Sequence, residues 1–420
     1  MDSIEKLREN SVAARKMKIS VLIVCLLIAP AVFCMLSGLL RFRVRDYDKP
    51  SLVKKRWKHL RTSSRLLTIS WIVYGITIWS TMSSNMFLHA VRFDELGSMA
   101  ATFYFVIRFL KAVGLGLAAF VPLALAYLAY LLAWAWSEKR IRQEKFQLGG
   151  AVRLMLFEAL LYLLPYALLF LFVVSGGAPW VIEKRIVVQF NASIALFVLA
   201  SCLFVYFRSF EIAKALTKAV VLINDVLLEQ RIAELCVMGS VKPGKLFRLK
   251  TFGYPYAQAY AFSNNDICLT DYVIDNFPIT ERDAVIAHEL GHLQHIRILA
   301  TKRFAVYAVF VFAFLFLFPL CDVFVADSLV NLLSKFALIY GSYLLLILGN
   351  KNMREYEHQA DRFAVSTVGG EAFIHAMEKL HEVNLTPRRF NEKEEEYLSH
   401  PSLDVRTATA LESQNRIDYR

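Results

Sequence analysis

Predominantly apolar stretches of about twenty positions recur along this chain. A helix rises 1.5 Å per residue, so each is long enough to cross the ~30 Å hydrocarbon core of a bilayer. They are Ile19–Leu40, Leu66–Leu88, Val113–Trp136, Leu154–Val174, Ile186–Phe207, Phe304–Val325 and Leu329–Leu348. The first is too long for the core of a signal peptide, and no clear small-x-small cleavage site follows it. The second carries Thr77, Ser80, Thr81, Ser83, Ser84 and Asn85, which belong against protein or a wet cavity rather than lipid. Trp134 and Trp136 read as interface anchors, and Pro165 reads as a kink in the fourth stretch. Glu158 and Lys335 are charges inside apolar stretches but near their ends, where a long side chain snorkels to the interface.

From Arg208 the pattern changes. Glu211–Met238 has apolar positions near the 3.6-residue period and reads as an amphipathic helix, followed by a turn at Gly239–Gly244. Phe247–Phe252 and Ala257–Leu269 read as short strands, with turns at Gly253-Tyr254-Pro255 and Asn264-Asn265-Asp266. Thr280, with Asp283 three residues on, reads as the capped start of a helix with Ala284, Val285, Ala287, Leu290, Gly291 and Leu293 on its apolar side. These elements predict a mainly α, polytopic membrane protein of about seven transmembrane helices. Its regions are 1–207 (five spans), 208–303 (a first extramembrane part), 304–348 (a transmembrane hairpin) and 349–420 (a second extramembrane part).

Composition agrees: 57% of the 420 residues are hydrophobic, too many for an ordinary soluble domain. The net charge of +12 lies in stretches flanking apolar runs, as in Arg41–Arg65 and Lys139–Arg153. That is the signature of cytoplasmic loops and argues against nucleic-acid binding. It places Arg208–Arg303 and the C-terminal part in the cytoplasm, with His89–Tyr104, Ser175–Arg185 and Ala326–Ser328 on the other side. Met1–Lys18, with five Lys and Arg, then falls outside; the ten in Arg41–Arg65 outweigh it. The six cysteines include no Cys-x-x-Cys pair and read as buried structural thiols.

The chemistry centres on His288-Glu289-Leu290-Gly291-His292. Residues i and i+4 share a helix face, so both imidazoles reach one metal ion, and two imidazoles suit zinc. Glu289 then stands beside a water at that metal. Gly291 costs a helix about 1 kcal/mol relative to Ala, and so points to the close approach of another backbone. A third ligand is still needed. Glu355, Glu357 and His358 compete in one short segment, where Glu355 and Glu357 stand about 200° apart on a helix. Glu357 is followed one turn later by Asp361, able to orient a ligand imidazole, whereas Glu355 has Gln359 there and His358 has Arg362.

His-Glu-Leu-Gly-His, the later Glu357-x-x-x-Asp361 within Ala360-Asp361-Arg362-Phe363-Ala364, and His400-Pro401-Ser402 followed by Arg406 resemble the membrane zinc metallopeptidases. That family includes the CAAX prenyl endopeptidases and the HtpX heat-shock proteases. The resemblance covers about Arg208–Leu411. It implies a zincin-like cytoplasmic metallopeptidase domain containing a short β-sheet, and Zn2+ held by His288, His292 and Glu357. It further implies Glu289 as catalytic base, Asp361 behind a ligand, His400 as a transition-state donor and Arg406 as its support. Ala259, Tyr260 and Ala261 match the family's substrate strand, but Gln258 stands where the family usually has Asn. Seven spans look more like the CAAX-protease branch. The partners implied are a protein or peptide substrate and a lipid bilayer, that of a bacterial inner membrane or the endoplasmic reticulum.

Other classes fit less well. A non-catalytic scaffold would be expected to have lost Glu289. A sensor-transducer protease would carry a larger extracytoplasmic domain, and a transporter has no use for this chemistry on an extramembrane insert. Neither the substrate nor the oligomeric state is readable.

Overall fold

In the computed structural model the residues described are 25, 27–40, 49–86, 121–142, 146–176, 186–242, 244–262, 264–312, 330, 333, 337, 341, 353–398 and 400–418. The expectations for Met1–Lys18, His89–Tyr104, Ala326–Ser328 and Lys335 lie outside them. So do those for the side chains from Thr77 to Asn85. The chain divides into two compact units, Met1–Glu144 with Leu163–Phe207, and Lys145–Tyr162 with Arg208–Arg420.

The first unit contains helices α1 (Leu27–Leu40), α2 (Lys49–Met86) and α3 (Val121–Arg142). The basic stretch expected as a loop is helical from Lys49 onward, and its Arg56, His59 and Ser63 side chains point inward. His59 is fully buried, its Nδ1 2.7 Å from Ser37 Oγ. Arg56 and Arg142 donate to the two oxygens of the buried Glu138 at 2.8 and 2.9 Å. Trp134, expected at an interface, is buried. Among the described residues, α3 alone is long and apolar enough by composition to cross a membrane.

Helix α4 (Leu148–Gly176) runs through Pro165 without interruption, and α5 (Ile186–Thr217) extends past the fifth apolar stretch. The expected helix Glu211–Met238 is two helices separated by a strand. α5 ends at Thr217, and Lys218 turns the chain with φ of 51°. β1 (Val220–Leu222) follows, and α6 (Val226–Met238) starts at Asp225, whose carboxylate accepts from the Leu227 and Leu228 amides. Capping at Asp225 satisfies amides that a continuous helix would not leave exposed.

In the second unit β1, β2 (Leu246–Leu249), β3 (Ala259–Ala261) and β4 (Ile267–Thr270) form a sheet in the order β1-β2-β4-β3. β2 and β4 are parallel, and the other two pairings are antiparallel. β4 is inner and wholly buried, so its Ile-Cys-Leu-Thr run shows no alternation. β3 is an edge, with Tyr260 opposite Cys268.

After α7 (Asp271–Asn276) comes α8 (Ile279–Phe312). It starts one residue before Thr280, which is therefore not its cap. Asp283 accepts from Arg231 on α6 at 2.7 Å instead of closing a capping box. Leu228, Ile232 and Leu235 of α6 share one core with Leu269 of β4 and Val285, Ile286 and Leu290 of α8. Phe373 and Met377 of a later helix, α10 (Gly370–Asn384), close that core.

Candidate active site

The i, i+4 spacing on α8 sets the His288 and His292 rings 4.7 Å apart, their Nε2 atoms separated by 3.2 Å. A second helix, α9 (353–368), crosses α8 at Gly291. A Cβ there would lie 2.7 Å from the Ala360 Cα, so only glycine permits this approach. The crossing carries Glu357 over the His pair: its Oε2 lies 3.4 Å from His288 Nε2 and its Oε1 3.3 Å from His292 Nε2. Glu355 is exposed and pairs with Arg362 and Gln359. Among the described residues, the ligand atoms that converge, all within 4.8 Å of one another, belong to His288, His292 and Glu357.

Behind the pair, Asp361 Oδ1 lies 3.0 Å from His288 Nδ1. That contact keeps the proton on Nδ1 and leaves Nε2 free to bind a metal. Arg406, on α11 (Leu403–Asp418), grips Asp361 as a fork, with Nε at 2.9 Å and Nη2 at 2.5 Å. Burial, the largest single influence, would raise the Asp361 pKa, but the charge and hydrogen bonds of Arg406 together with His288 outweigh it and hold it at about 2. Burial likewise opposes charge on His288, yet its bonds to Asp361 and Glu357 raise it to about 9. Burial would also raise Glu357, but His400 and the His288 and His292 imidazoles hold it well below the usual carboxylate range.

This donor set fits a zinc ion. Two facing imidazole nitrogens have only one proton's worth of room between them. Glu357 Oε2 is buried with no aligned hydrogen bond, although His400 Nδ1 stands 2.9 Å away. A cation satisfies all three atoms at once. Glu289 is nearly buried beside them and close enough for its charge to act on Arg406. His400, on a loop, is more than half exposed and reaches in from the solvent side.

Ala259, Tyr260 and Ala261 form the edge strand β3, alongside α8. Two anchors here were not read from the sequence. The Asn384 side-chain amide donates to the Ala257 carbonyl at 2.7 Å and accepts its N–H at 3.0 Å, standing in for a neighbouring strand. At Gln258, where the resemblance has Asn, the backbone N–H donates to Thr270 Oγ1 and the carbonyl accepts from the Thr270 N–H. Asn384 lies more than a hundred residues from Ala257, and no local pattern marks it.

Residues 224–414 match the family described as Peptidase family M48. The crystal structure of S. mikatae Ste24p has a similar fold, with a TM-score of 0.54 at 16% identity. The alignment covers 93% of this chain and 98% of that one. No curated protein matches by sequence.

Proposed function

From residues 224–414, which form a peptidase family M48 domain, we propose that the chain is a membrane-embedded, zinc-dependent endopeptidase. Its substrates in this reading are membrane-associated proteins or peptides. The observation that carries the proposal is the convergence of His288, His292 and Glu357, with Asp361 behind one ligand and Glu289 beside it. The apolar stretches support a seven-span membrane protein, with 208–303 and 349–420 as the two parts of the peptidase domain at the cytoplasmic face.

Zinc held by His288, His292 and Glu357 supplies Lewis acidity toward water and the scissile carbonyl. Glu289 takes the proton of the attacking water and returns it to the leaving amine, the two-step use of one carboxylate. His400 donates to the oxygen on which negative charge develops. Asp361, fixed by Arg406, holds His288 in the ligating tautomer. β3, unpaired on its outer side among the described residues, offers its edge to an extended peptide, whose backbone adds as a strand.

The purified protein should cleave an unfolded protein or a generic peptide, and a zinc chelator should stop it, with activity returning on zinc addition. Cleavage unaffected by chelation would overturn the reading. The orientation has its own test. α8 continues without a break from the His pair to Phe312, within the expected sixth span, so the site belongs close to the bilayer surface. Single cysteines placed at Asn265 and Ser328 should label from opposite sides of sealed vesicles. Labelling of both from the outside would reverse the expected topology.

A further inference from the structure

Glu158 sits ten residues into α4, a helix otherwise apolar around it. It does not snorkel. Its Oε1 accepts hydrogen bonds from Tyr256 at 2.6 Å and Tyr260 at 2.5 Å. Both tyrosines belong to the segment that becomes the edge strand. In an extended chain alternate residues share a face, so Tyr256, Tyr260 and Phe262 point one way and Ala257, Ala259 and Ala261 the other. The alanine side joins the core shared with α8, where small side chains let the strand lie close to the metal helix. The aromatic side packs toward α4 and α5: the Phe262 and Phe210 rings are 4.1 Å apart, and Phe210 meets Phe157, the residue before Glu158.

A carboxyl group among apolar side chains needs hydrogen-bond partners, and both phenols converge on the same Oε1, so the two phenols and Glu158 hold one another in place. Burial first, and then the neighbouring acidic groups, raise both phenols well above their ordinary value, so they remain donors throughout the working range of pH. The strand is gripped from its other end by Asn384 on Ala257.

We propose that Glu158 is a positioning residue for substrate. Through Tyr256 and Tyr260 it sets the height and tilt of the free β3 edge relative to the His pair, and so aligns a bound peptide backbone. This inference rests on the peptidase reading above. It makes substrate alignment, rather than metal binding, depend on an apolar helix that the catalytic motif does not include.

The test compares kcat, KM and zinc content of the full-length protein, in detergent, for Glu158→Ala, Glu158→Gln and the Tyr256→Phe/Tyr260→Phe double variant on one fluorogenic peptide. Glu158→Ala should raise KM about tenfold, the scale of losing one strong hydrogen bond, with zinc retained and a smaller change in kcat. Glu158→Gln keeps an acceptor oxygen and should return KM most of the way. The double Tyr variant should reproduce Glu158→Ala, and it keeps the test alive if Glu158→Ala fails to fold. Unchanged KM in the double Tyr variant would overturn the proposal, as would a Gln variant no better than Ala or loss of zinc in step with activity. A zinc-loaded wild-type protein with no turnover at all would instead sink the peptidase reading, and this inference with it.

Discussion

Glu289→Gln should bind zinc like the wild type and turn over substrate about 10^2–10^4-fold more slowly, the range expected for removing a general acid–base group. Glutamine has the same shape, and residue 289 is not among the converging ligand atoms, so the metal set is untouched. The amide cannot take a proton from water near neutral pH or hand one to the leaving amine. The loss should therefore appear in kcat and kcat/KM together, with KM little changed, as for an interaction made only in the transition state. Zinc per chain by elemental analysis and single-substrate kinetics on one preparation suffice to check it. Full activity in Glu289→Gln would remove the proposed mechanism.

Glu357→Ala should lose zinc altogether and, with it, activity. The carboxylate contributes both oxygens to the cluster, one toward each imidazole, and among the described residues no other carboxylate converges on the same point. Glu355 pairs with Arg362 on the exposed side of the helix, so Glu355→Ala should keep the metal. Asp361→Ala should weaken binding roughly 10–100-fold, because it touches a ligand rather than the ion. The measurement is metal per protein after gel filtration. Zinc retained in Glu357→Ala and lost in Glu355→Ala would mean that α9 presents the opposite face.

These assignments differ in how far the chain itself discloses them. The His288–His292 spacing is a local, periodic signal, and so is Glu357–Asp361; each needs only one helix to be meaningful. Gly291 was legible for a related reason, since a glycine inside a strong helical pattern is costly unless another backbone comes near. The short strand β1 was not legible. Val220–Ile223 is apolar enough to continue a helix, and the positive φ at Lys218 that ends α5 belongs to no residue type that announces it. For Glu158 the sequence suggests snorkelling, because its partners Tyr256 and Tyr260 lie about a hundred residues away. Asn384 on Ala257 is hidden for the same reason. Arg406 became visible only through the resemblance, although the structure places it on Asp361 as part of one buried network.

The crossing at Gly291 and Ala360 also sets an order of events during synthesis. The His pair leaves the ribosome well before Glu357, and residues 304–348 come between them. Until that intervening stretch is made and α9 docks into the notch that Gly291 leaves open, the two imidazoles have no Glu357 beside them and His288 has no Asp361 to fix its proton. In the proposed mechanism a partly made chain is therefore unarmed, and hydrolytic power arrives only once the helix Leu403–Asp418 has brought Arg406 onto Asp361.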